Sequence, residues 1–550
     1  MQRKKLPIGI QTFAKIREDS HYYVDKTRLA LHLIDQGTHY FLSRPRRFGK
    51  SLFLDTLKEL FEGNRGLFEG LYAAQHWDWA SKHPVLRLSF GSGVLRTPED
   101  LGASLLEQLS AFEALHALPP EVADLRGRFK RLIRGLHERT GQRVVVLVDE
   151  YDKPILDNLT EPERAGVMRD GLRDIYSTLK DVDAHLRFVF ITGVSKFSKV
   201  SLFSGLNNLN DITLDPEYSA LCGYTEHDVD TVFAPELEGL DRERIRRWYN
   251  GYNWRGEAVY NPFDLLLLFQ KREFRPYWFE TGTPTFLVEL LARRQFFTPN
   301  LSRLTSSEEL LGAFEVDDIE PEALLWQAGY LSIQAEKEVS EGQWFYTLGY
   351  PNREVEASLN ASLMRAYGVS RQTSGEVRNR LPGLLAAGDM AGLKDLLHGL
   401  FASIPHDWHR NNPLAQYEGF YASVFYSHLA ALGLDTRVED ATNKGRIDLA
   451  LRLDYRSQPS LASVESAHPW ASNRSRPSLA SAESAHPWAS RVYLFEFKVV
   501  EQVPDGRALA QLQAKGYAEK YREPGVTVTL VGIEFSREQR NVVAFEVAEG

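Results

Sequence analysis

Phe41-Leu-Ser-Arg-Pro-Arg-Arg-Phe-Gly-Lys-Ser51 sets the fold of the N-terminal part of this chain. The apolar segment 38–42 leads into it as a predicted strand, and a predicted helix over 52–61 follows it. Its last three residues are typical of a phosphate-binding loop, because glycine lets backbone N–H groups approach phosphate and a helix N-terminus adds positive partial charge. Lys50 can reach the β- and γ-phosphates, and the Ser51 hydroxyl can bind Mg²⁺.

One position departs from the generic pattern G-x-x-x-x-G-K-[ST], because Arg44 stands where the first glycine is expected. An alternative interpretation is a basic surface turn between a strand and a helix. That turn explains the charges of Arg44, Arg46 and Arg47 but not the order Gly-Lys-Ser. We therefore predict a phosphate loop.

Composition limits the classes of protein to which the chain can belong. Its 550 residues, 43% hydrophobic and 25% charged, predict two to four globular domains. The 65 Lys and Arg against 74 Asp and Glu give a net charge of −9, so any nucleic-acid site must be a local patch. The single cysteine, Cys222, excludes an intrachain disulfide and a multi-cysteine zinc site and fits a reducing cytoplasm. The sequence shows neither a secretion signal nor a membrane span, so we expect a cytoplasmic protein without a membrane partner.

A second acidic motif supports the phosphate loop. Arg143-Val-Val-Val-Leu-Val-Asp-Glu150 predicts a buried parallel strand with two carboxylates at its C-terminal edge, where ligands of open α/β sheets bind. Asp149 would hold Mg²⁺ through water, and Glu150 would polarise the water that attacks the γ-phosphate. The alternative is a core strand followed by a helix-capping acid.

Strands that alternate with helices predict a doubly wound, mainly parallel sheet. Further strands are predicted at 84–90, 186–195 and 210–214. Thr192 and Ser195, at the end of the second of these, could sense the γ-phosphate. Equally, local hydrogen bonds at the strand end could engage both hydroxyls.

The pattern changes at about residue 218. Aromatic-rich segments at 248–254, 260–269 and 277–284 predict a helical lid or winged-helix region over 218–365, with most of its aromatic rings in a core. Residues 366–410 predict a helical connection.

Residues 456–490 form a tandem low-complexity insertion. The segment 456–472 recurs almost unchanged as 474–490, and Ser, Ala and Pro dominate without a helix or strand period. We predict a disordered loop. His468 and His486 lie in identical His-Pro-Trp steps, which the duplication explains without a metal site.

The insertion interrupts a predicted hairpin that carries a second candidate site. Segments 444–453 and 492–500 predict its two strands. Glu496 and Lys498 share one face of the second strand, and Asp448 on the first can join them. Two carboxylates can bind Mg²⁺, which stabilises charge on a phosphodiester, and Lys498 would orient or activate the attacking water. The alternative is an ordinary solvated strand face.

Two flanking predicted helices add to this set. Glu418 on the first could be a further metal carboxylate, and Gln511 on the second could face the site. The complete candidate set is Glu418, Asp448, Glu496, Lys498 and Gln511.

These motifs resemble those of a two-part bacterial family. Residues 1–217 resemble an AAA-ATPase-like domain through Tyr23-Val-Asp-Lys-Thr27, the phosphate loop and Val148-Asp-Glu-Tyr-Asp-Lys-Pro154. Residues 411–550 resemble the PD-(D/E)XK nuclease superfamily, and the segment 277–284 matches the family's middle region. The C-terminal resemblance rests on Gly445-Arg-Ile-Asp448, Glu496-Phe-Lys498 and Gln511.

The resemblance implies a P-loop NTPase domain and a C-terminal α/β restriction-endonuclease-like domain. It further implies ATP and Mg²⁺ as cofactors and nucleic acid, taken as DNA, as the partner. The residues expected to hold the nucleotide are Arg46, Arg47, Phe48, Gly49, Lys50, Ser51, Asp149, Thr192 and Ser195. The sequence shows no clear arginine finger, and assembly into a homo-oligomer stays open.

Two hypotheses follow. In the first, ATP binding or hydrolysis gates phosphodiester cleavage, and the presence of two motif sets in one chain favours it. In the second, ATP orders the lid and changes a partner-binding surface, and the nuclease-like domain is a binding module without turnover. The net charge and the insertion beside the hairpin favour the second slightly. A pure ATP-driven motor is weaker, because the sequence has no helicase-like motif series.

Overall fold

A computed structural model of the chain divides into two compact units. The described residues are 3–119, 122, 124–196, 202–203, 206, 208–281, 287–288, 290–291, 296–312, 320–404, 418–442, 445–453, 490–501 and 503–550. The first unit comprises Met1–Thr283 and Ser302–Val355, and the second comprises Pro284–Leu301 and Glu356–Gly550. The predicted insertion at 456–490 lies outside the described residues except for Ser490.

The first unit is built on a five-stranded parallel sheet, as predicted. Its strands are β1 (His39–Ser43), β2 (Val85–Ser89), β3 (Val144–Asp149), β4 (Leu186–Gly193) and β5 (Asn210–Asp211). Their order is β2-β3-β4-β1-β5, so the strand that enters the phosphate loop lies inside the sheet between β4 and β5. Every residue of β1 and β3 is buried, which is typical of parallel strands covered on both faces.

Helices in this part of the unit begin and end at clear capping signals. Pro98–Leu115 starts with a capping box in which Thr97 accepts from the Asp100 N–H, and Leu125–Thr140 ends at Gly141 in the left-handed conformation. The described α-helices associated with the parallel sheet are Phe13–Glu18, Thr27–Gln36, Lys50–Phe61, Ala73–His76, Pro98–Leu115, Leu125–Thr140, Lys153–Leu156 and Pro162–Asp181.

The remainder of the first unit contains helices and a small antiparallel sheet. Its strands are β6 (Leu304–Ser307), β7 (Ser332–Ser340) and β8 (Gln343–Gly349), in the order β6-β8-β7. The sequence did not predict this sheet. The described α-helices here are Glu226–Val232, Arg242–Tyr249, Pro262–Lys271, Tyr277–Glu280, Glu308–Gly312 and Pro321–Gln327. As predicted, many of the aromatic side chains of this region are core residues, among them Tyr249, Tyr260 and Phe269.

The second unit is built on a mixed five-stranded sheet in the order β13-β12-β11-β10-β9. The strands are β9 (Asp435–Thr442), β10 (Gly445–Leu453), β11 (Ser490–Val500), β12 (Val526–Ser536) and β13 (Asn541–Glu549). Only β11 and β12 run parallel, and helix Arg507–Lys515 connects them. The other described α-helices are Arg371–Ala387, Met390–Ala402 and Glu418–Leu432, and the division between the units falls inside helix Arg353–Ala366.

The two faces of β11 carry different chemistry, as its alternation predicts. Phe495 and Phe497 contact the Phe425 ring at centroid distances of 5.0 and 6.0 Å. Glu496 and Lys498 therefore lie on the opposite face, towards helix Arg507–Lys515. Among the described residues, no helix has the length and apolar character needed to cross a membrane.

Candidate nucleotide and nuclease sites

The phosphate loop has the backbone shape that anion binding requires. Gly49 is the residue before helix Lys50–Phe61 and has a φ of +95°, a conformation that favours glycine. Arg47 is also left-handed, with a φ of +68°. Since β1 ends at Ser43 and the helix begins at Lys50, the intervening loop lies at the C-terminal edge of the sheet, where such sheets bind ligands.

Lys50 is held inside the loop. Its Nζ donates to the Arg44 and Pro45 carbonyl oxygens, each at 2.9 Å, and the side chain is buried. Burial lowers the pKa of the Lys50 ammonium, and the nearby Asp149 carboxylate opposes that effect. Phosphate oxygens, being charged acceptors, would compete well with these carbonyl groups.

Arg44, the departure from the generic pattern, has a structural role. Its guanidinium is fully buried and donates to the carbonyl oxygens of Ser43, Thr213 and Tyr218 at 2.9, 3.0 and 3.1 Å. It also stacks over the Trp254 ring at 4.1 Å, and burial lowers its pKa to about 10. A glycine could not make these contacts, so Arg44 anchors the loop.

Aromatic residues of the same unit form an outer wall around the loop. Phe48 is buried, and its ring meets Tyr252 and Trp254 at centroid distances of 4.7 and 5.5 Å. The Trp278 indole donates to the Arg46 carbonyl oxygen at 3.0 Å. The segment 277–284 thus contains a ring that contacts the phosphate loop directly.

A cavity of about 490 Å³ lies against the loop, a volume within the range of small-molecule sites. Eight consecutive loop and helix residues line it, from Arg46 to Phe53, together with Glu150. Its other walls include Tyr22, Tyr23, Lys26, Cys222, Tyr224 and Phe263. Most of the predicted nucleotide-binding residues therefore lie around one cavity.

The two acids at the end of β3 have different environments. Asp149 is buried; its Oδ2 lies 3.3 Å from Arg87, and its Oδ1 has no hydrogen-bond partner within the described part of the chain. A buried carboxylate oxygen with that open valence fits a role towards Mg²⁺ or its water shell. Glu150 adopts a φ of +54°, and burial raises the pKa of its carboxyl, as suits a general base.

Thr192 and Ser195 are occupied by local hydrogen bonds. The Thr192 hydroxyl donates to the Leu42 carbonyl oxygen at 2.8 Å, and the Ser195 hydroxyl donates to Asp152 at 2.6 Å. Both residues are buried and, like Asp149, neither is among those that line the cavity; unlike Asp149 Oδ1, both hydroxyls have hydrogen-bond partners. The geometry favours the local alternative over the phosphate-sensor interpretation.

The second candidate site brings four of its five predicted residues together. The register of β10 and β11 pairs Leu449 with Phe495, which places Asp448 beside Glu496. Asp448 Oδ2 accepts from the Phe497 N–H at 2.8 Å. Glu496 is fully buried, and its Oε1 accepts from Lys498 Nζ at 3.2 Å and from the Gln511 amide.

The metal-binding capacity of this site rests on two described carboxylates. Magnesium is commonly held by one or two carboxylates together with water and substrate phosphate. Asp448 and Glu496 could supply these two carboxylates. Over the described residues, no group of three or more His, Cys, Asp or Glu side chains could hold a metal. The Glu418 side chain lies outside them, although its backbone begins helix Glu418–Leu432.

Tyr517 belongs to the second site, although no sequence motif selected it. Burial raises the pKa of its phenol, the charges of Glu496 and Asp448 raise it further, and a hydrogen bond with Gln511 opposes them. The phenol therefore lies among the predicted residues. The signal that could have found it is its position just after the helix that carries Gln511.

Comparisons with known proteins assign both parts of the chain to families. The model of a family described as predicted AAA-ATPase matches residues 7–203, and that of the PD-(D/E)XK nuclease superfamily matches residues 416–465 and 479–545. An "Uncharacterized protein in vnfD 5'region" of Azotobacter chroococcum mcd 1 is 60% identical over 553 residues. The match covers 100% of this chain and 99% of that protein.

Proposed function

Because this chain belongs to the predicted AAA-ATPase family and carries a PD-(D/E)XK nuclease superfamily domain, we propose that ATP bound in its first unit controls phosphodiester cleavage in its second. The observation that supports this proposal most directly is that each unit gathers its own motif residues. Lys50 and Glu150 line one cavity of the first unit, while Glu496, Lys498 and Gln511 are hydrogen-bonded in the second.

In the first unit, the loop backbone and Lys50 bind the phosphates of ATP. Lys50 exchanges its two carbonyl acceptors for phosphate oxygens. Ser51 and Asp149 would hold Mg²⁺, which would supply positive charge to the phosphates. Glu150, with its raised pKa, accepts a proton from the water that adds to the γ-phosphorus. The bond between that phosphorus and the bridging oxygen breaks, and ADP and phosphate leave.

In the second unit, Glu496 organises the catalytic group. Lys498 and Gln511 both donate to its Oε1, so the amine and the amide are held on one carboxylate. Asp448 and Glu496 would hold Mg²⁺, which stabilises negative charge on the phosphate in displacement. Lys498 orients the attacking water, whose oxygen bonds to phosphorus as the bond to the leaving deoxyribose oxygen breaks. The water releases a proton to solvent, and the leaving oxygen takes one up from solvent.

We propose DNA as the nucleic acid, the cytoplasm as the compartment and a homo-oligomer as the source of any arginine finger. The buried single thiol of Cys222 is compatible with a reducing compartment. Among the described residues that line the nucleotide cavity, the arginines are Arg46 and Arg47, both inside the loop itself.

Cleavage of single- and double-stranded DNA with Mg²⁺ or Mn²⁺, with and without ATP, tests the proposal. Lys498→Ala should lower cleavage by about 10²–10⁴-fold and leave ATP hydrolysis nearly intact. Lys50→Ala should abolish ATP binding and remove the effect of ATP on cleavage. The matched controls are Lys515→Ala, an exposed lysine on the helix of Gln511, and Lys58→Ala, which pairs with Glu59 and Glu62 on the loop helix.

The alternative, an ATP-driven binding switch without turnover, predicts a different outcome. Wild-type protein would bind ATP and change its affinity for DNA, yet cleave no substrate with either metal. Cleavage that disappears in Asp448→Ala would exclude the switch. Cleavage that persists unchanged in Lys498→Ala would refute the catalytic assignment.

A further inference from the structure

Arg87 contacts three residues at the edge of the nucleotide site, and the mechanism proposed above gives it no role. It lies on β2, next to β3, and its side chain is partly buried. Nη1 donates to Asp55 Oδ1 at 2.7 Å, while Nη2 lies 3.2 Å from the Ser51 carbonyl oxygen and 3.3 Å from Asp149 Oδ2. The two residues assigned to the cation, Ser51 and Asp149, are therefore both contacted by one side chain.

The position of Arg87 is itself fixed from the other side. Asp55 is buried on the loop helix, and its second carboxylate oxygen accepts from the Phe13 N–H at 2.7 Å. A carboxylate held by a backbone N–H cannot turn freely, so the guanidinium that it binds has a fixed direction. The series Phe13 N–H, Asp55, Arg87 and Asp149 links the N-terminal helix to the end of β3.

The two carboxylate oxygens of Asp149 have different surroundings. Oδ2 contacts Arg87, whereas Oδ1 is buried with no hydrogen-bond partner among the described atoms. We propose that Arg87 is a positioning residue that orients Asp149 and the start of the loop helix so that Asp149 Oδ1 serves the cation of bound ATP. The inference rests on the nucleotide role proposed for this site.

The planar guanidinium is suited to this task in a way that an ammonium is not. Arginine presents several N–H groups in a fixed fork, so it reaches Asp55 with one nitrogen and Asp149 and Ser51 with the other. Lysine at this position would carry the charge but could not hold all three acceptors in one geometry. A charge-only role and a positioning role therefore predict different behaviour for Arg87→Lys.

Binding of a fluorescent ATP analogue, titrated with Mg²⁺ and repeated in EDTA, measures this role without relying on turnover. For Arg87→Met, the Mg²⁺ concentration that gives half of the Mg²⁺-dependent gain in affinity should rise by about tenfold, as for outer-shell partners of metal ligands. Affinity in EDTA should change less than twofold. Arg87→Lys should resemble Arg87→Met, and Asp55→Asn should shift the same way by a smaller factor.

Asp149→Asn separates the failure of this inference from the failure of the nucleotide assignment. If Asp149→Asn shifts the Mg²⁺ dependence but Arg87→Met and Arg87→Lys do not, Arg87 has only a structural role and the inference is overturned. The inference is also overturned if Arg87→Lys binds Mg²⁺ and ATP like wild type, because charge alone would then suffice. If Asp149→Asn itself leaves the Mg²⁺ dependence unchanged, the assignment of the cation site to Asp149 fails, and the inference fails with it.

Discussion

The nucleotide site and the nuclease site both place a lysine near carboxylates, but they are built in opposite ways. In the first, Lys50 is held by backbone carbonyl groups of its own loop, and the residues from Arg46 to Ser51 are consecutive. In the second, Lys498 is held by the Glu496 carboxylate, and Asp448 and Gln511 arrive from another strand and a helix. A site built on backbone shape should be most sensitive to φ, and a site built on side chains should be most sensitive to charge.

The largest effect is expected from removing one charge at the nuclease site. Glu496→Gln removes the charge of the carboxylate whose Oε1 accepts hydrogen bonds from Lys498 and Gln511. DNA cleavage should therefore fall by at least about 100-fold. ATP hydrolysis should stay within twofold of wild type. The control is Glu523→Gln, an exposed acid paired with Arg452 in the same unit. Cleavage at the wild-type rate in Glu496→Gln would show that the side-chain assembly is not the catalytic centre.

The nucleotide site should instead be disrupted by Gly49→Ala, through backbone strain rather than through a steric clash. Apart from its chain neighbours, no heavy atom of the described residues would lie within 4 Å of a Cβ at Gly49, yet the φ of +95° remains unfavourable for alanine. Gly49→Ala should lower the free energy of unfolding of the first unit by about 1–2 kcal/mol and weaken ATP binding, because the loop relaxes away from its anion-binding shape. Chemical denaturation and ATP titration measure the two effects.

Gly166→Ala is the matched control for that substitution. Gly166 lies inside helix Pro162–Asp181, and outside the nearby helix backbone its Cβ would also meet no described heavy atom within 4 Å. Because this backbone is helical, alanine should stabilise the unit by about 0.5–1 kcal/mol and leave ATP affinity unchanged. If both substitutions changed stability and ATP affinity equally, the left-handed backbone at Gly49 would not explain the sensitivity of the nucleotide site.

The same contrast explains what the sequence could predict. The strand, glycine turn and helix around Lys50 are local in sequence, and the alternation of β11 settles which of its residues face together. Arg44 and Arg87 were not assigned their roles because their partners are distant along the chain: Arg44 donates to Thr213, and Arg87 donates to Asp55. Such contacts follow from topology and side-chain reach, which no local pattern encodes. In the small antiparallel sheet, the pairing of β6 with β8 is distant in the same way, whereas β7 and β8 form a local hairpin whose turn at Glu341-Gly342 the sequence analysis did not single out.

A third test compares carboxyl pairs in the two units. Asp264 and Glu354 are buried together in the first unit, and both accept from the Trp278 N–H, at 2.7 and 3.0 Å. Burial raises the pKa of Asp264 to about 7 and that of Glu354 well above its usual value. These two carboxyls face each other and accept from backbone N–H groups, whereas Glu496 of the second unit is paired with the ammonium of Lys498. The pair should therefore hold a proton at pH values where an exposed carboxyl group is ionised.

The sign of the pH effect follows from these raised values. In the unfolded chain both carboxyls ionise near pH 4, so the folded state binds more protons between about pH 4 and pH 7. The stabilisation is complete below about pH 4 and is lost as the pH rises through 7. Tyr249, Tyr252, Tyr277 and Tyr330 also face the pair and stay neutral across this window. Thermal unfolding of the first unit should accordingly fall in midpoint as the pH rises from 5 to 8.

Glu354→Gln isolates the contribution of this pair to the pH dependence. The amide of Gln can donate to Asp264 at any pH, so the decline of the midpoint between pH 5 and 8 should become smaller. Glu341→Gln, at an exposed hairpin position, should leave the decline as in wild type. A decline that is as steep in Glu354→Gln as in wild type would assign the effect to other groups.

The smallest effect on ATP affinity is expected at Thr192, and its size decides whether the nucleotide site includes the end of β4. The Thr192 hydroxyl donates to the Leu42 carbonyl oxygen inside the sheet, so Thr192→Val should lower the free energy of unfolding by about 1 kcal/mol and change ATP affinity less than twofold. Thr178→Val is the matched control, since that buried hydroxyl donates to the Ile175 carbonyl oxygen on a helix. Similar stability losses in both variants, with ATP affinity unchanged, would limit the site to the loop and the acids of β3. A tenfold loss of ATP affinity in Thr192→Val alone would instead extend the nucleotide site to the end of β4. In that case only the phosphate loop, and not the whole nucleotide site, would be built from residues that are consecutive in the sequence.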